Sequence, residues 1–329
     1  MKKLFKILKW TALVVALLLI VIVAYVQVFW KKTYDVPLPD IHASSDSAMI
    51  ARGQYLAFGP AHCATCHVPM DKVAHVEMTG EVIPLSGGWE LPLPPGTFRA
   101  PNITPDPETG IGNLSDGELA RALRYNIKHD NTCLFPFMPF SNLSDEDVTA
   151  LISYLRSQPP VKHEVAPTEL TFLGKALMAF GILKPEFPDG TPPISVKKES
   201  TPEYGKYMAI SVANCYGCHT DRDLKSGEFI GEPFAGGLYF EPDVFSEGYS
   251  FIIPNLTPHA ETGIMAEWSE KAFVNRFKAG RVQKGSPMPW GAFSRMDTTD
   301  LQAIYKYLKT VTPVENKVEK IVFLPEEKP

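Results

Sequence analysis

The chain has no surplus of positive charge: 32 Lys and Arg stand against 37 Asp and Glu, for a formal net charge of −5. That balance argues against nucleic acid as a partner. Cysteine is scarce, at five residues. Four fall in two tight pairs, Cys63/Cys66 and Cys215/Cys218, with Cys133 left over, which is not how a disulfide framework is laid out. Sustained strand alternation is missing; only the stretch 229–253 suggests short strand pairs. Neither cysteine pair has the βαβ setting that a thioredoxin-like dithiol needs.

One further absence concerns the start of the chain. An apolar run from Trp10 to Trp30, broken only by Thr11 and Gln27, has no small-x-small cleavage site after it and exits into Trp30-Lys31-Lys32. A cleaved signal peptide wants that site and a shorter apolar core. About 20 residues at 1.5 Å each cross a hydrocarbon core of about 30 Å. Trp10, Tyr25, Phe29 and Trp30 sit near its ends, where interfacial aromatics belong. Residues 1–32 are therefore read as a single-pass transmembrane anchor. Lys2, Lys3, Lys6 and Lys9 outnumber Lys31 and Lys32, which places the N-terminus in the cytoplasm and the rest on the periplasmic side of an inner membrane.

The chain repeats itself at an offset of about 150 residues. Arg52-Gly53-Gln54-Tyr55-Leu56 matches Tyr204-Gly205-Lys206-Tyr207-Met208. Pro101-Asn102-Ile103-Thr104-Pro105 matches Pro254-Asn255-Leu256-Thr257-Pro258. Met138-Pro139-Phe140 matches Met288-Pro289-Trp290, and Ala150 to Leu155 matches Ala303 to Leu308. A period this long means tandem domains. They are placed at 46–160 and 200–316, joined by a proline-rich linker, 161–199, and followed by a tail, 317–329. Each unit reads as helical with long loops. Its first helix (46–58, 201–213) runs into the cysteine pair. A second begins at Ser115, which has capping-box spacing to Glu118, and runs to about Lys128, with a counterpart from Ser269 to about Lys278. The third begins after Ser144, with Val148, Leu151, Ile152 and Leu155 on one face. Its counterpart carries Leu301, Ile304, Tyr305 and Leu308. In the linker, Leu170 to Leu183 is apolar enough for a helix. It reads as a strut packed on a domain; a membrane-surface helix would want more basic residues than Lys175 and Lys184.

The pairs occur as Ala61-His62-Cys63-Ala64-Thr65-Cys66-His67 and Asn214-Cys215-Tyr216-Gly217-Cys218-His219. Zinc would require both pairs to converge, although they lie in separate repeats. In Cys-x-x-Cys-His both sulfurs can form thioethers to heme, and the adjacent histidine then becomes an iron ligand. Two copies at matching points of a repeat therefore imply two covalently bound heme c groups. Cys63, Cys66, Cys215 and Cys218 would attach them, with His67 and His219 on the iron. Met138 and Met288 are the methionines that align with each other, and they are assigned the opposite axial positions. Met70, Met78, Met265 and Met296 have no counterpart and read as packing residues; His75, His129 and His259 read as surface histidines. Arg99, Trp89, Asn102 and Thr104 in the first repeat, and Asn255, Thr257 and Tyr239 in the second, are candidates for orienting the ligands or burying propionates. A plain turn-forming role is the alternative for the Asn-x-Thr-Pro box. Cys133, five residues before Met138, reads as a small buried hydrophobe rather than a thiolate ligand.

With these motifs in combination, residues 46–316 resemble the multiheme cytochrome c subunits of membrane-bound bacterial alcohol and gluconate dehydrogenases. The resemblance implies class I cytochrome c domains, His/Met ligation and electron passage from a periplasmic donor. Those subunits typically carry three hemes, whereas this chain has two attachment motifs. The sequence thus reads as an all-α, membrane-anchored diheme class I cytochrome c that carries electrons and is not itself an enzyme. Its expected partners are other redox proteins: a dehydrogenase, a quinol-oxidising complex or a terminal oxidase. Three alternatives are weighed beside it: an obligate subunit of a dehydrogenase or respiratory complex; a diheme enzyme, either a thiosulfate dehydrogenase resting on Cys133 or a peroxidase needing an open iron; and a gas sensor.

Overall fold

A computed structural model describes residues 2–223, 227–243 and 245–327. The first residue of the 1–32 segment, the last two of the 317–329 tail, and residues 224–226 and 244 lie outside the described residues. Helix α1, Lys2–Phe29, is 28 residues long, about 42 Å at the usual rise. Its apolar side chains stand exposed from Leu4 to Phe29, while Val26 is buried. This one helix is long and apolar enough to cross a membrane.

The first unit contains α2 (Ser47–Phe58), the short α3 (Ala64–His67), α4 (Val73–Thr79), α5 (Asp116–Tyr125) and α6 (Asp145–Ser157). Asp46 caps α2 by accepting the Ala48 N–H. Ser115 and Glu118 form a full capping box at the start of α5, and Asn126 ends that helix in the left-handed conformation, φ 54°, short of Lys128. The linker helix α7 is Phe172–Ala179. The second unit contains α8 (Pro202–Tyr207), continued by a π-turn over Met208–Val212, then α9 (Cys215–His219), α10 (Glu270–Lys278), α11 (Trp290–Ser294) and α12 (Thr298–Leu308).

In each unit the first helix crosses the last. Gly53 lets α2 approach α6 so closely that a Cβ there would lie 1.9 Å from the Ala150 carbonyl oxygen. Gly205 does the same between α8 and α12, at 1.9 Å from the Ala303 oxygen. The matched Arg52–Leu56 and Tyr204–Met208 segments are therefore the two halves of one packing solution. Buried Leu56, Val148, Leu151 and Ile152 fill the first crossing, and Met208, Leu301, Ile304 and Leu308 fill the second. Both belong to one continuous apolar cluster.

The all-α reading needs correction, because two small antiparallel sheets are present. β1 (Glu90–Leu93), β2 (Gly96–Arg99) and β3 (Glu169–Leu170) make the first. β4 (Tyr239–Phe240), β5 (Ser250–Ile252) and β6 (Val322–Phe323) make the second, within and beyond the suspected 229–253 stretch. Strands of two to four residues, one containing Pro92, are too short to show a period of two. β3 and β6 each add to a sheet from beyond its unit's last helix, outside the limits at 160 and 316 read from the repeat.

Candidate heme-attachment sites

Cys63 lies just before α3 and Cys66 within it; the Cys66 and His67 N–H groups both reach the Cys63 carbonyl, at 3.2 and 2.9 Å. A single helical turn therefore puts both thiols and the imidazole on one short segment. Cys215, Cys218 and His219 lie together on α9. All five cysteines are free thiols. Among the described residues no three His, Cys, Asp or Glu side chains converge as a metal cluster.

Each histidine is held the same way. His67 Nδ1 lies 2.9 Å from the Pro101 carbonyl oxygen, and His219 Nδ1 lies 3.1 Å from that of Pro254. A carbonyl can only accept, so Nδ1 carries the hydrogen and Nε2 keeps its lone pair for a metal. Burial lowers the pKa of both imidazoles, that of His219 to about 4, which keeps them in the neutral ligating form. Burial also pushes the Cys63 and Cys215 thiols up to about 12 and Cys66 up to about 11, and raises Cys218. A redox dithiol shows the opposite shift. These side chains are nevertheless only half-buried. Two partly exposed thiols and a neutral imidazole on one short turn have the donor chemistry to hold a prosthetic group by two thioethers and one histidine.

Two glycines make this arrangement possible. Gly87, at φ 74°, donates its N–H to the His67 carbonyl at 2.7 Å; a Cβ there would lie 2.5 Å from the Pro101 carbonyl. Gly236, at φ 70°, donates to the His219 carbonyl at 2.8 Å; its Cβ would lie 2.5 Å from Pro254 C. Neither glycine belongs to the motifs singled out above, although Gly87-Gly88 and Gly236-Gly237 are themselves a repeated signal.

The Asn-x-Thr-Pro boxes fix the same two carbonyls. Asn102 Nδ2 donates to Thr109 Oγ1 and the Val161 carbonyl, at 3.1 and 2.8 Å, while its Oδ1 accepts from the Thr104 N–H. Asn255 repeats this with Thr262 Oγ1, the Val314 carbonyl and the Thr257 N–H. Both asparagines spend their amide groups on protein, so their contribution is to hold the turn that carries Pro101 or Pro254. Arg99 is engaged with Glu90 at 2.6 Å, the Pro167 carbonyl at 2.7 Å and Glu169 at 3.2 Å. Its bonds tie the first sheet together rather than reaching the His67 turn. Trp89 stacks on Phe245 at 5.3 Å across the two units, and Tyr239 sits in β4 opposite Ile252.

Met138 and Met288 occupy matched turns. The Phe140 N–H reaches the Met138 carbonyl at 3.0 Å, and the Trp290 N–H reaches that of Met288 at 2.8 Å. Both side chains are half-buried against the core. Met265 and Met296 are fully buried packing residues, but Met70 and Met78 stand exposed, which corrects the packing reading for that pair.

Comparison with known proteins adds the decisive observation. Over 283 residues, 82% of this chain and 56% of the relative, the sequence is 30% identical to the cytochrome c subunit of a quinone alcohol dehydrogenase of Gluconobacter oxydans. It is 29% identical over 296 residues to the cytochrome subunit of a fructose dehydrogenase of Gluconobacter japonicus, covering 84% of this chain and 55% of that one. It is 29% identical over 273 residues to a diheme c-type cytochrome of Cereibacter sphaeroides, covering 80% of this chain and 86% of that one. This chain is a homologue of the c-type cytochromes. It spans little more than half the length of the dehydrogenase subunits it matches, and no protein-family profile matches it.

In this cytochrome homologue, covalent heme c is the cofactor that the relatives imply. Two further groups steady its methionine turns. Asn126 Nδ2 lies 3.3 Å from the Met138 carbonyl. Arg281 lies 3.3 Å from the Met288 carbonyl and pairs with Glu77 of the first unit at 2.5 Å. Cys133 is buried with its Sγ 3.0 Å from the Leu134 carbonyl, and burial pushes its thiol up to about 12. His75 pairs with Glu81 at the surface, His129 is exposed, and His259 Nδ1 binds Thr262.

Proposed function

We propose that the chain is a membrane-tethered diheme electron carrier with tandem class I cytochrome c units at about 46–160 and 200–316. Cys63 and Cys66 with His67 and Met138 would hold one heme c, and Cys215 and Cys218 with His219 and Met288 the other. When bound, heme c supplies a one-electron Fe(III)/Fe(II) couple. The protein presents a neutral imidazole Nε2, locked by a proline carbonyl, and a thioether from a braced turn. The observation that carries this reading is the duplication of the His–Pro carbonyl bond and its glycine in both units.

The N-terminal helix would tether both units on the periplasmic face of the inner membrane, raising their effective concentration for redox partners there. The relatives favour a dehydrogenase as the electron donor, with this chain as its cytochrome subunit; a quinol-oxidising complex or terminal oxidase would stand on the other side. Cys133, buried as a protonated thiol, gives no support to a thiosulfate-oxidising role. Pyridine hemochrome analysis should give two c-type hemes per chain. The sulfur-to-iron charge-transfer band should fall by half in Met138→Ala or Met288→Ala and vanish in the double variant. A single heme, or a band that survives both substitutions, would overturn the assignment.

A further inference from the structure

The linker helix α7 leaves an apolar face uncovered. Gly174, Met178 and Ala179 are buried, whereas Phe172, Leu173, Phe180 and Ile182 are about half exposed, Phe180 at 56%. Large apolar side chains grouped like this on a surface mark a contact with something.

What α7 lies against identifies the partner. It packs on the end of α1: the Phe180 ring stacks on Tyr25 at 5.4 Å, and Lys175 Nζ lies 5.1 Å from the Trp30 ring. Tyr25 precedes Trp30 by five residues, about 7.5 Å along a helix axis. Phe180 therefore reaches below the level at which Trp30 leaves the apolar run. The other anchor point of α7 is the first sheet, through β3 and through Gly174, whose Cβ would lie 2.1 Å from the Pro95 carbonyl oxygen. The helix is thus rigidly placed between the first unit and the anchor.

The sequence alone left α7 short of basic residues, but the fold supplies them from elsewhere. Lys31 Nζ lies 5.0 Å from the Trp30 ring, on the same aromatic as Lys175, and Lys32 lies 5.5 Å from the Tyr34 ring. A short apolar face flanked by lysines, beside the exit of a bilayer-spanning helix, has the composition of an interfacial helix on anionic lipid. We propose that α7, Phe172–Ala179, with Phe180 and Ile182, docks into the headgroup region of the bilayer and forms a second membrane contact. This rests on the reading that α1 spans a membrane. The consequence is orientation: two contacts fix the first unit over the membrane, where one helix would leave it free to swivel.

The test uses the full-length protein reconstituted in bilayers of phosphatidylcholine and phosphatidylglycerol doped with a phospholipid carrying a shallow acyl-chain diazirine. After irradiation, adducts are mapped by mass spectrometry. The expected result is adducts on both the α1 peptide and the 170–184 peptide. A variant carrying Leu173→Ser, Phe180→Ser and Ile182→Ser should lose the second set and keep the first. Adducts confined to α1 would overturn the docking of α7 and leave the tether intact. An unlabelled α1 would overturn the tether and this inference together.

Discussion

Gly87 and Gly236 carry the tightest constraint at each site, because each combines a left-handed backbone with a wall of proline carbonyl. A Cβ at Gly87 meets Pro101 C and O, both at 2.5 Å, and at Gly236 it meets Pro254 C at 2.5 Å. Gly87→Ala and Gly236→Ala should each cost about 1–3 kcal/mol from backbone conformation alone. The carbonyl that orients the histidine must also shift, so the loss should be accompanied by weaker axial ligation. Thermal melting should show the first effect. The reduced-minus-oxidised spectrum should show the second, confined to the unit that carries the substitution. Cys133 is the contrasting case. It is buried and protonated, with its Sγ on the neighbouring Leu134 carbonyl. Cys133→Ser should lower stability by about 1–2 kcal/mol, because it buries a hydroxyl in place of a small apolar group, and should leave both heme spectra unchanged. A spectral change would reinstate the sulfur as a ligand.

The crossings of first and last helix are the elements on which each unit depends. Gly53→Ala and Gly205→Ala both drive a Cβ to 1.9 Å from backbone oxygen, and backbone on a packed helix cannot swing aside as a side chain can. Each should cost about 3 kcal/mol, the upper end for overpacking, and chemical denaturation compared with wild type would measure it. The helices that cross were legible in the sequence, through the matched Arg52–Leu56 and Tyr204–Met208 segments and the periodic faces at Val148–Leu155 and Leu301–Leu308; their packing on each other was not, because it joins segments about 100 residues apart. The two Cys-x-x-Cys-His turns stood out in the sequence because the motif is local. Of the sheets only the β4–β5 pairing within 229–253 was legible; β1 and β2 are too short, with Pro92 among them, to show a period of two, and the third strands pair far along the chain, as when Leu170 pairs with Gly96. Nor were the carbonyls of Pro101 and Pro254, because backbone atoms leave no residue type to read. The left-handed glycines left only a faint trace, and the roles of Asn102 and Asn255 became definite once their amide groups were found occupied by Val161 and Val314.

At the scale of the whole molecule, the two units hold each other by an exchanged contact. Tyr55 of α2 bonds to Asp300 of α12, and Tyr207 of α8 bonds to Asp147 of α6 at 2.7 Å. Each hydroxyl also accepts a backbone N–H where the other unit's last helix begins: Asp297 donates to Tyr55 at 2.9 Å, and Ser144 donates to Tyr207 at 3.0 Å. Both carboxylates are buried, Asp300 completely. The two contacts differ in what remains when the tyrosine is removed. Asp147 keeps a two-point bond to Arg52, at 2.8 and 3.0 Å. At the matching position Asp300 has the uncharged Tyr204, at 3.0 Å, and Lys198 more distantly at 3.4 Å. Tyr55→Phe therefore leaves a poorly compensated buried charge, whereas Tyr207→Phe leaves one still paired with a guanidinium. Stranding a buried polar partner costs about 1–3 kcal/mol and more when it is charged. Tyr55→Phe should fall at or above the top of that range and Tyr207→Phe near the bottom. Calorimetry of the two variants would check the order, and equal losses would mean that Lys198 compensates Asp300 as well as Arg52 compensates Asp147. Because the tyrosines lie in the same repeated segment as Gly53 and Gly205, the stretch that builds each unit's crossing also docks it to the other unit.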